Sequence, residues 1–261
     1  MNETNLAHDV RGAGPALVLI HSGVCDRRMW EPQFAAFADA GYRVVRCDIR
    51  GYGDSPAPDG PNNDADDVLA LLGELGIETF TIVGSSYGGK IGLEIAARQP
   101  ERVRALALLC SGMPGHEPTA VLRAFWAREG ALLDEGDVDG AVAVNVENWL
   151  GPEADADTRA LATRMQKRAF DVQLAATEFE QTVVEFDLSA IADTPVLAVW
   201  GGKDLPDFRQ IAEHLASTLP NARSLELPWA GHLPSLERPE ETLEILAEFL
   251  ALVHADDAPA V

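Results

Sequence analysis

Residues 79–98 read Thr-Phe-Thr-Ile-Val-Gly-Ser-Ser-Tyr-Gly-Gly-Lys-Ile-Gly-Leu-Glu-Ile-Ala-Ala-Arg, and their reading decides the fold. Thr79–Val83 is a short β-branched run that predicts a strand, and Lys90–Arg98 starts a helix that must stop before Pro100. Between them Gly84-Ser85-Ser86-Tyr87-Gly88 fits G-x-S-x-G, in which a serine sits on a sharp strand-to-helix turn with its hydroxyl exposed. The glycines answer crowding, because backbone and helix approach too closely there for flanking Cβ atoms. The start of the following helix carries partial positive charge and favours a developing oxyanion. A glycine-rich turn can hold an incidental serine, but the strand before and the helix after select the nucleophile reading. Ser85 is the rival, and the spacing to both glycines selects Ser86.

Strands and helices alternate on either side of this stretch. Leu6–Val10 and Ala16–His21 read as a strand pair joined by Arg-Gly-Ala-Gly-Pro, and the continuously apolar Ala16–Ile20 suits a strand buried on both faces of a parallel sheet. Helix Trp30–Ala40, strand Tyr42–Cys47, helix Ala65–Leu75 and strand Val103–Cys110 continue the alternation. From 118 to 190 only helical periodicity appears, over Val121–Arg128, Val138–Trp149, Asp157–Ala169 and Leu174–Val184, with Gly130, Gly136 and Gly140 read as breaks that let a lid flex. Strand Pro195–Trp200, helix Phe208–Thr218, strand Arg223–Leu227 and helix Pro239–Val253 then complete the chain.

The expected fold is α/β: a doubly wound, mostly parallel sheet whose core takes residues 1–117 and 191–254, a helical cap or lid over 118–190, and a frayed tail at 255–261. An insertion at the carboxyl end of a strand sits over the edge where such sheets bind ligands. The cap is therefore expected to roof a pocket above Ser86, with Trp126 or Trp149 in the roof.

Forty-two acidic against 20 basic residues give a formal charge of −22, a field that disfavours nucleic acid and anionic membrane partners and favours solubility. No apolar run is long enough to span a membrane, and Met1-Asn-Glu-Thr-Asn5 predicts no secretory signal. Three cysteines, Cys25, Cys47 and Cys110, predict a reduced, cytoplasmic protein without a disulfide framework. With no His-x-x-x-His, Cys-x-x-Cys or Walker-type loop, no metal and no cofactor are expected.

A serine hydroxyl needs a base. Of six histidines, His8 and His254 lie near the termini, His214 is inside a helix, His116 follows a turn, and His21 closes a buried strand in a structural setting. His232 stands in Trp229-Ala-Gly-His-Leu-Pro234, after the last strand and at the same sheet edge as Ser86. The acid that orients the imidazole is expected in Trp200-Gly-Gly-Lys-Asp204, just past a strand, with Asp207 as competitor. The run after Val103–Cys110 reads Ser-Gly-Met-Pro-Gly and offers no carboxylate, which favours Asp204.

Four blocks carry a resemblance over nearly the whole chain: Leu19-Ile-His-Ser-Gly23, Asp48-Ile-Arg-Gly-Tyr-Gly-Asp-Ser55, the Ser86 turn, and the Asp204/His232 pair. In these the chain resembles the α/β-hydrolase superfamily of serine hydrolases, and within it small esterases, lactonases of the 3-oxoadipate enol-lactonase group, and cofactor-free perhydrolases. Arg28-Met-Trp-Glu-Pro-Gln33 and His232-Leu-Pro-Ser-Leu-Glu-Arg-Pro239 resemble the enol-lactonase group in particular. The resemblance implies an oxyanion hole from the backbone N–H of Tyr87 and of Gly23, with Val24 as the alternative because Ser22 stands where relatives have glycine. It gives Asp48 and Arg50 a structural loop and no part in catalysis. A serine nucleophile argues against haloalkane dehalogenases and epoxide hydrolases, which need a carboxylate there.

The implied activity is cleavage of a small-molecule carboxylic ester or lactone through an acyl-enzyme. The alternatives are C–C bond hydrolysis, perhydrolysis or thioester cleavage on the same triad, or a non-catalytic ligand-binding scaffold.

Overall fold

The computed structural model describes residues 5–176 and 181–255. A seven-stranded sheet runs in the order β1-β3-β2-β4-β5-β6-β7, with β1 (His8–Arg11), β2 (Ala16–Ile20), β3 (Arg43–Cys47), β4 (Phe80–Ser85), β5 (Val103–Leu109), β6 (Val196–Gly201) and β7 (Ala222–Leu227). All pairings from β3 through β7 are parallel, and β1 alone is antiparallel. Alternate strand residues build two cores. Leu17, Leu19, Val44 and Val83 meet Phe34 and Phe37 of α1 (Glu31–Asp39) and Phe249 and Leu250 of α9 (Pro239–Val253). Val18, Ile20, Val45 and Ile82 meet α2 (Asp64–Glu74) and α3 (Tyr87–Arg98) on the other face.

The chain leaves β2 toward β3 on one side and returns to β4 on the other. The crevice of this switch therefore opens at the carboxyl ends of β2 and β4, where Gly23 and Ser86 lie. Helices α4 (Ala120–Asp134), α5 (Val138–Trp149) and α6 (Ala156–Leu174) fall between β5 and β6, α7 (Pro206–Thr218) between β6 and β7, and the single turn α8 (Pro234–Glu237) precedes α9.

Three local expectations change. The first two strands do not pair; β1 lies against β3, with His8 opposite Cys47 and Arg11 opposite Val44. Apolar β2 takes an interior place with both edges filled, which leaves the polar His-Asp-Val-Arg segment to the sheet edge. Among the described residues of the expected helix Leu174–Val184 none beyond Leu174 is helical: α6 ends at Leu174, Gln181 bridges Asn62, and the Thr182 N–H donates to the Asn62 carbonyl at 2.7 Å. Residues 177–180, and 256–261 of the expected frayed tail, lie outside the described residues. Of the three glycines read as breaks, only Gly136, at φ 76°, lies between helices. Gly130 is inside α4, and Gly140 is in the first turn of α5, where Asp137 caps its N–H at 2.9 Å. Capping and packing outweigh the roughly 1 kcal/mol penalty of a helical glycine.

Cys25, Cys47 and Cys110 are free and buried. No described helix is long and apolar enough to cross a membrane.

Candidate active site

Ser86 follows β4 directly with φ 52° and ψ −110°, a left-side backbone that a non-glycine residue holds only when its surroundings enforce it. The flanking glycines show what does so. A Cβ on Gly84 would lie 2.6 Å from the Gly88 carbonyl oxygen, and one on Gly88 would lie 2.2 Å from that of Ile20. The Ser86 N–H donates to the Leu109 carbonyl at 2.9 Å, and its own carbonyl accepts from Gly112 at 3.0 Å. The hydroxyl is thereby carried to the sheet edge.

His232 Nε2 lies 2.7 Å from Ser86 Oγ, and His232 Nδ1 lies 2.7 Å from Asp204 Oδ2. Both the imidazole and the carboxylate are almost wholly buried, so little water competes for these bonds. Asp204 Oδ1 accepts from the Leu205 N–H at 2.7 Å. The loops that carry acid and base are laced together, Gly202 N–H to the Leu227 carbonyl and Lys203 N–H to that of Ala230, each at 2.8 Å.

His232 has a second mount. Its backbone N–H donates to the Trp149 carbonyl at 3.0 Å, and its ring lies 4.4 Å from the Trp149 ring and 4.1 Å from that of Phe208. Glu237 accepts the N–H groups on both sides of it, Gly231 at 2.9 Å and Leu233 at 3.1 Å, and a further backbone bond from Gly151 just past α5. Burial pushes the Glu237 carboxyl up, and these N–H donors work against that.

Asp207 stands apart from His232. Its buried carboxylate takes the Thr119 N–H at 2.7 Å, the Thr119 hydroxyl at 2.5 Å and His116 Nε2 at 3.0 Å, and so ties the start of α4 to α7. Burial works to raise this carboxyl, but the bonds from Thr119 and His116 outweigh it and hold it below the usual carboxylate range. His21 accepts the Ile49 N–H at Nε2, 2.9 Å, which leaves Nδ1–H to donate to the Ser22 carbonyl at 2.8 Å; burial lowers its pKa. Asp48 is bound by Arg27 and by the Asp54 N–H, and Arg50 pairs with Asp67, so both are engaged structurally.

A cavity of about 400 Å³ opens on Ser86 and His232. Gly23, Val24 and Tyr87 line it, as do Leu122, Phe125 and Trp126 of α4 and Asn145 and Trp149 of α5. The N–H groups of Gly23 and Val24 meet no protein acceptor among the described residues. Ser22, the departure from glycine, is buried and donates its N–H to Met29 Sδ at 3.4 Å, which holds the loop despite the added Cβ. The Tyr87 hydroxyl donates to Asp64 at 2.5 Å, and Gln181 donates to both oxygens, which fixes the side chain of the residue next to the serine.

Cys110 Sγ, Asp204 and His232 have ligand atoms within 4.8 Å of one another, the one such group among the described residues. Two ligands on a shared tetrahedral zinc stand about 3.3 Å apart. The 2.7 Å contact between Asp204 and His232 is instead that of a hydrogen bond. Burial, then the nearby Asp204, pushes the Cys110 thiol well up.

Sequence reasoning did not single out Glu237, Phe208 or Asn145. Glu237 had a signal in its fixed distance from His232 before Pro239, whereas Phe208 and Asn145 read only as helix positions.

The family described as alpha/beta hydrolase fold matches residues 15–239. The dihydrolipoyllysine-residue acetyltransferase component of the acetoin cleaving system of Pseudomonas putida is 32% identical over 259 residues, 91% of this chain; this chain spans 64% of that relative's length. A Mycobacterium tuberculosis protein named for non-heme bromoperoxidase activity is 30% identical, over 96% of this chain and 99% of its own. The enol-lactonase structure from Burkholderia xenovorans superposes with a TM-score of 0.72 at 27% identity, covering 94% of this chain and 96% of that one.

Proposed function

The chain belongs to the alpha/beta hydrolase fold family, and from that premise we propose that this hydrolase cleaves a carboxylic ester or lactone through a covalent acyl-enzyme on Ser86. The observation that carries the reading is the continuous hydrogen-bond chain Ser86–His232–Asp204, with 2.7 Å at each step. Ser86 Oγ attacks the substrate carbonyl as its proton passes to His232 Nε2. Asp204 stabilises the resulting imidazolium without itself taking the proton. The tetrahedral oxyanion is received by the N–H groups of Tyr87 and Gly23, with the Val24 N–H beside them. Collapse breaks the C–O bond, and His232 returns the proton to the leaving oxygen. Water then repeats the sequence on the acyl group. In a lactone the leaving oxygen stays tethered, and the product is one hydroxy acid.

Residues 118–190 serve in this reading as the cap, with Trp126 and Trp149 in the roof of the acyl pocket. The relative named for bromoperoxidase activity favours a second use of the same acyl-enzyme, with hydrogen peroxide replacing water to release a peracid. A panel of p-nitrophenyl acetate, p-nitrophenyl butyrate and simple lactones tests the assignment. Turnover by the wild type and its loss by a factor of about a thousand or more in Ser86→Ala are expected. A folded protein that turns over none of them would exclude the ester and lactone reading and return the scaffold to a binding role.

A further inference from the structure

The α4 wall of the cavity combines aromatic rings with one carboxylate that the chemistry at Ser86 does not use. Phe125 and Trp126 stand four and three residues before Glu129 in α4, so the three share one face of that helix. All three line the cavity that holds Ser86.

Glu129 is anchored but only half engaged. Its Oε1 accepts from Asn145 Nδ2 at 2.6 Å, while Oε2 has no hydrogen-bond or ion-pair partner among the described residues. Asn145 is buried and fully committed: Nδ2 also donates to the Ala141 carbonyl at 2.9 Å, and Oδ1 accepts from Trp149 Nε1 at 2.9 Å. The carboxylate is therefore held on α5 by a side chain whose own position is fixed. The other charged groups of the cavity do not answer it. Of the described lysines and arginines, Lys90 alone lines this cavity; it comes from α3, borders a second cavity with Asp64 and Glu94, and holds its ammonium 5.8 Å from the Tyr87 ring centroid. Asp207 is occupied by Thr119 and His116, and His116, with hydrogen on Nε2 for that bond, has an acceptor lone pair at Nδ1.

We propose that Glu129, with the rings of Phe125 and Trp126 beside it, receives an organic ammonium group, and that the substrate carries that cationic nitrogen on its acyl part. The proposal rests on the ester and lactone reading. An ammonium is attracted both to a carboxylate and to the face of an aromatic ring, and this wall supplies the two together. A purely apolar acyl chain would cover the rings but strip water from Oε2 without giving it a partner. The formal charge of −22 draws cations toward the protein at long range, but that field is screened over about 8–10 Å at ordinary salt. Discrimination between two esters of one shape therefore falls to contacts inside the cavity.

The methyl ester of γ-butyrobetaine and its carbon isostere, in which a quaternary carbon replaces the quaternary nitrogen, share one shape and differ in charge. The wild type is expected to favour the cationic ester in kcat/KM by roughly tenfold or more, the size of a charge-assisted contact with a ring beside it. Glu129→Gln, at a half-buried helix position where the amide still fits, should lower that ratio about tenfold, and Trp126→Leu should lower it several-fold. Glu129→Lys should reverse the preference. A variant that only disturbs His232 through Asn145 and Trp149 slows both esters alike and leaves the ratio where it was. A ratio unchanged in Glu129→Gln or in Trp126→Leu, or a wild type that favours the neutral ester, overturns the cation site while leaving the ester reading intact. Turnover of p-nitrophenyl acetate with turnover of neither methyl ester does the same. Absence of turnover of all three by folded wild-type protein overturns the ester reading and the cation site with it.

Discussion

Trp149 supports His232 twice, its carbonyl accepting the histidine N–H at 3.0 Å and its indole lying 4.4 Å from the imidazole. The indole also meets Phe125 and Phe208, and its Nε1–H donates to Asn145 at 2.9 Å. A roof aromatic so fully engaged is not a free specificity element. Trp149→Ala should cost on the order of 3–5 kcal/mol of stability by thermal unfolding and slow every substrate alike. A shift in acyl-chain preference at unchanged melting temperature would show that the indole faces substrate more than it supports the base.

Trp126 is the contrasting case. It lines the same cavity but is 47% exposed, so its removal leaves little void. Trp126→Ala should change the ratio of kcat/KM between short and long acyl chains several-fold while moving Tm by no more than a few degrees. Equal losses on every chain length would place the indole outside the acyl pocket.

Glu237 gathers N–H groups from both sides of His232 and from the end of α5 on one carboxylate. Glu237→Gln keeps the shape but turns one acceptor into a donor facing those N–H groups. A base displaced by a fraction of an ångström lowers kcat about tenfold to a hundredfold and leaves KM within about threefold. A change in KM alone would mean that the carboxylate acts on the pocket rather than on the base.

Asp207 supplies the pH dependence. Its folded carboxyl is held below the ordinary aspartate range, so it contributes stability that is fully present above about pH 4 and is lost as pH falls through the folded value. Asp207→Asn should lower Tm at neutral pH, and the gap to wild type should close on acidification. A gap that widens toward low pH would contradict the anchoring of Thr119 and His116.

The sheet was legible because Ala16–Ile20 and Ala105–Leu109 are continuous apolar runs and Thr79–Val83 is β-branched, and the Ser86 turn because its glycines are required by contact distances. The edge position of β1 was not, since a turn signal at Gly12 and Gly14 says that the chain reverses but not which strand it joins. The three helices between β5 and β6 were legible, Val138–Trp149 at both ends and the others at their starts, but α4 and α6 run past the expected Arg128 and Ala169 to Asp134 and Leu174 because a single glycine such as Gly130 does not stop a helix.

The central claim is that Ser86 is the nucleophile, activated by His232. Intact mass and peptide mapping after treatment with p-nitrophenyl diethyl phosphate measure it most directly. The account predicts one diethylphosphoryl group per chain, on the peptide containing Ser86, with activity lost in step and labelling slowed by orders of magnitude in His232→Ala. Stoichiometric labelling of Ser85 or of any other residue with Ser86 unmodified, or full activity after Ser86 is labelled, would contradict it.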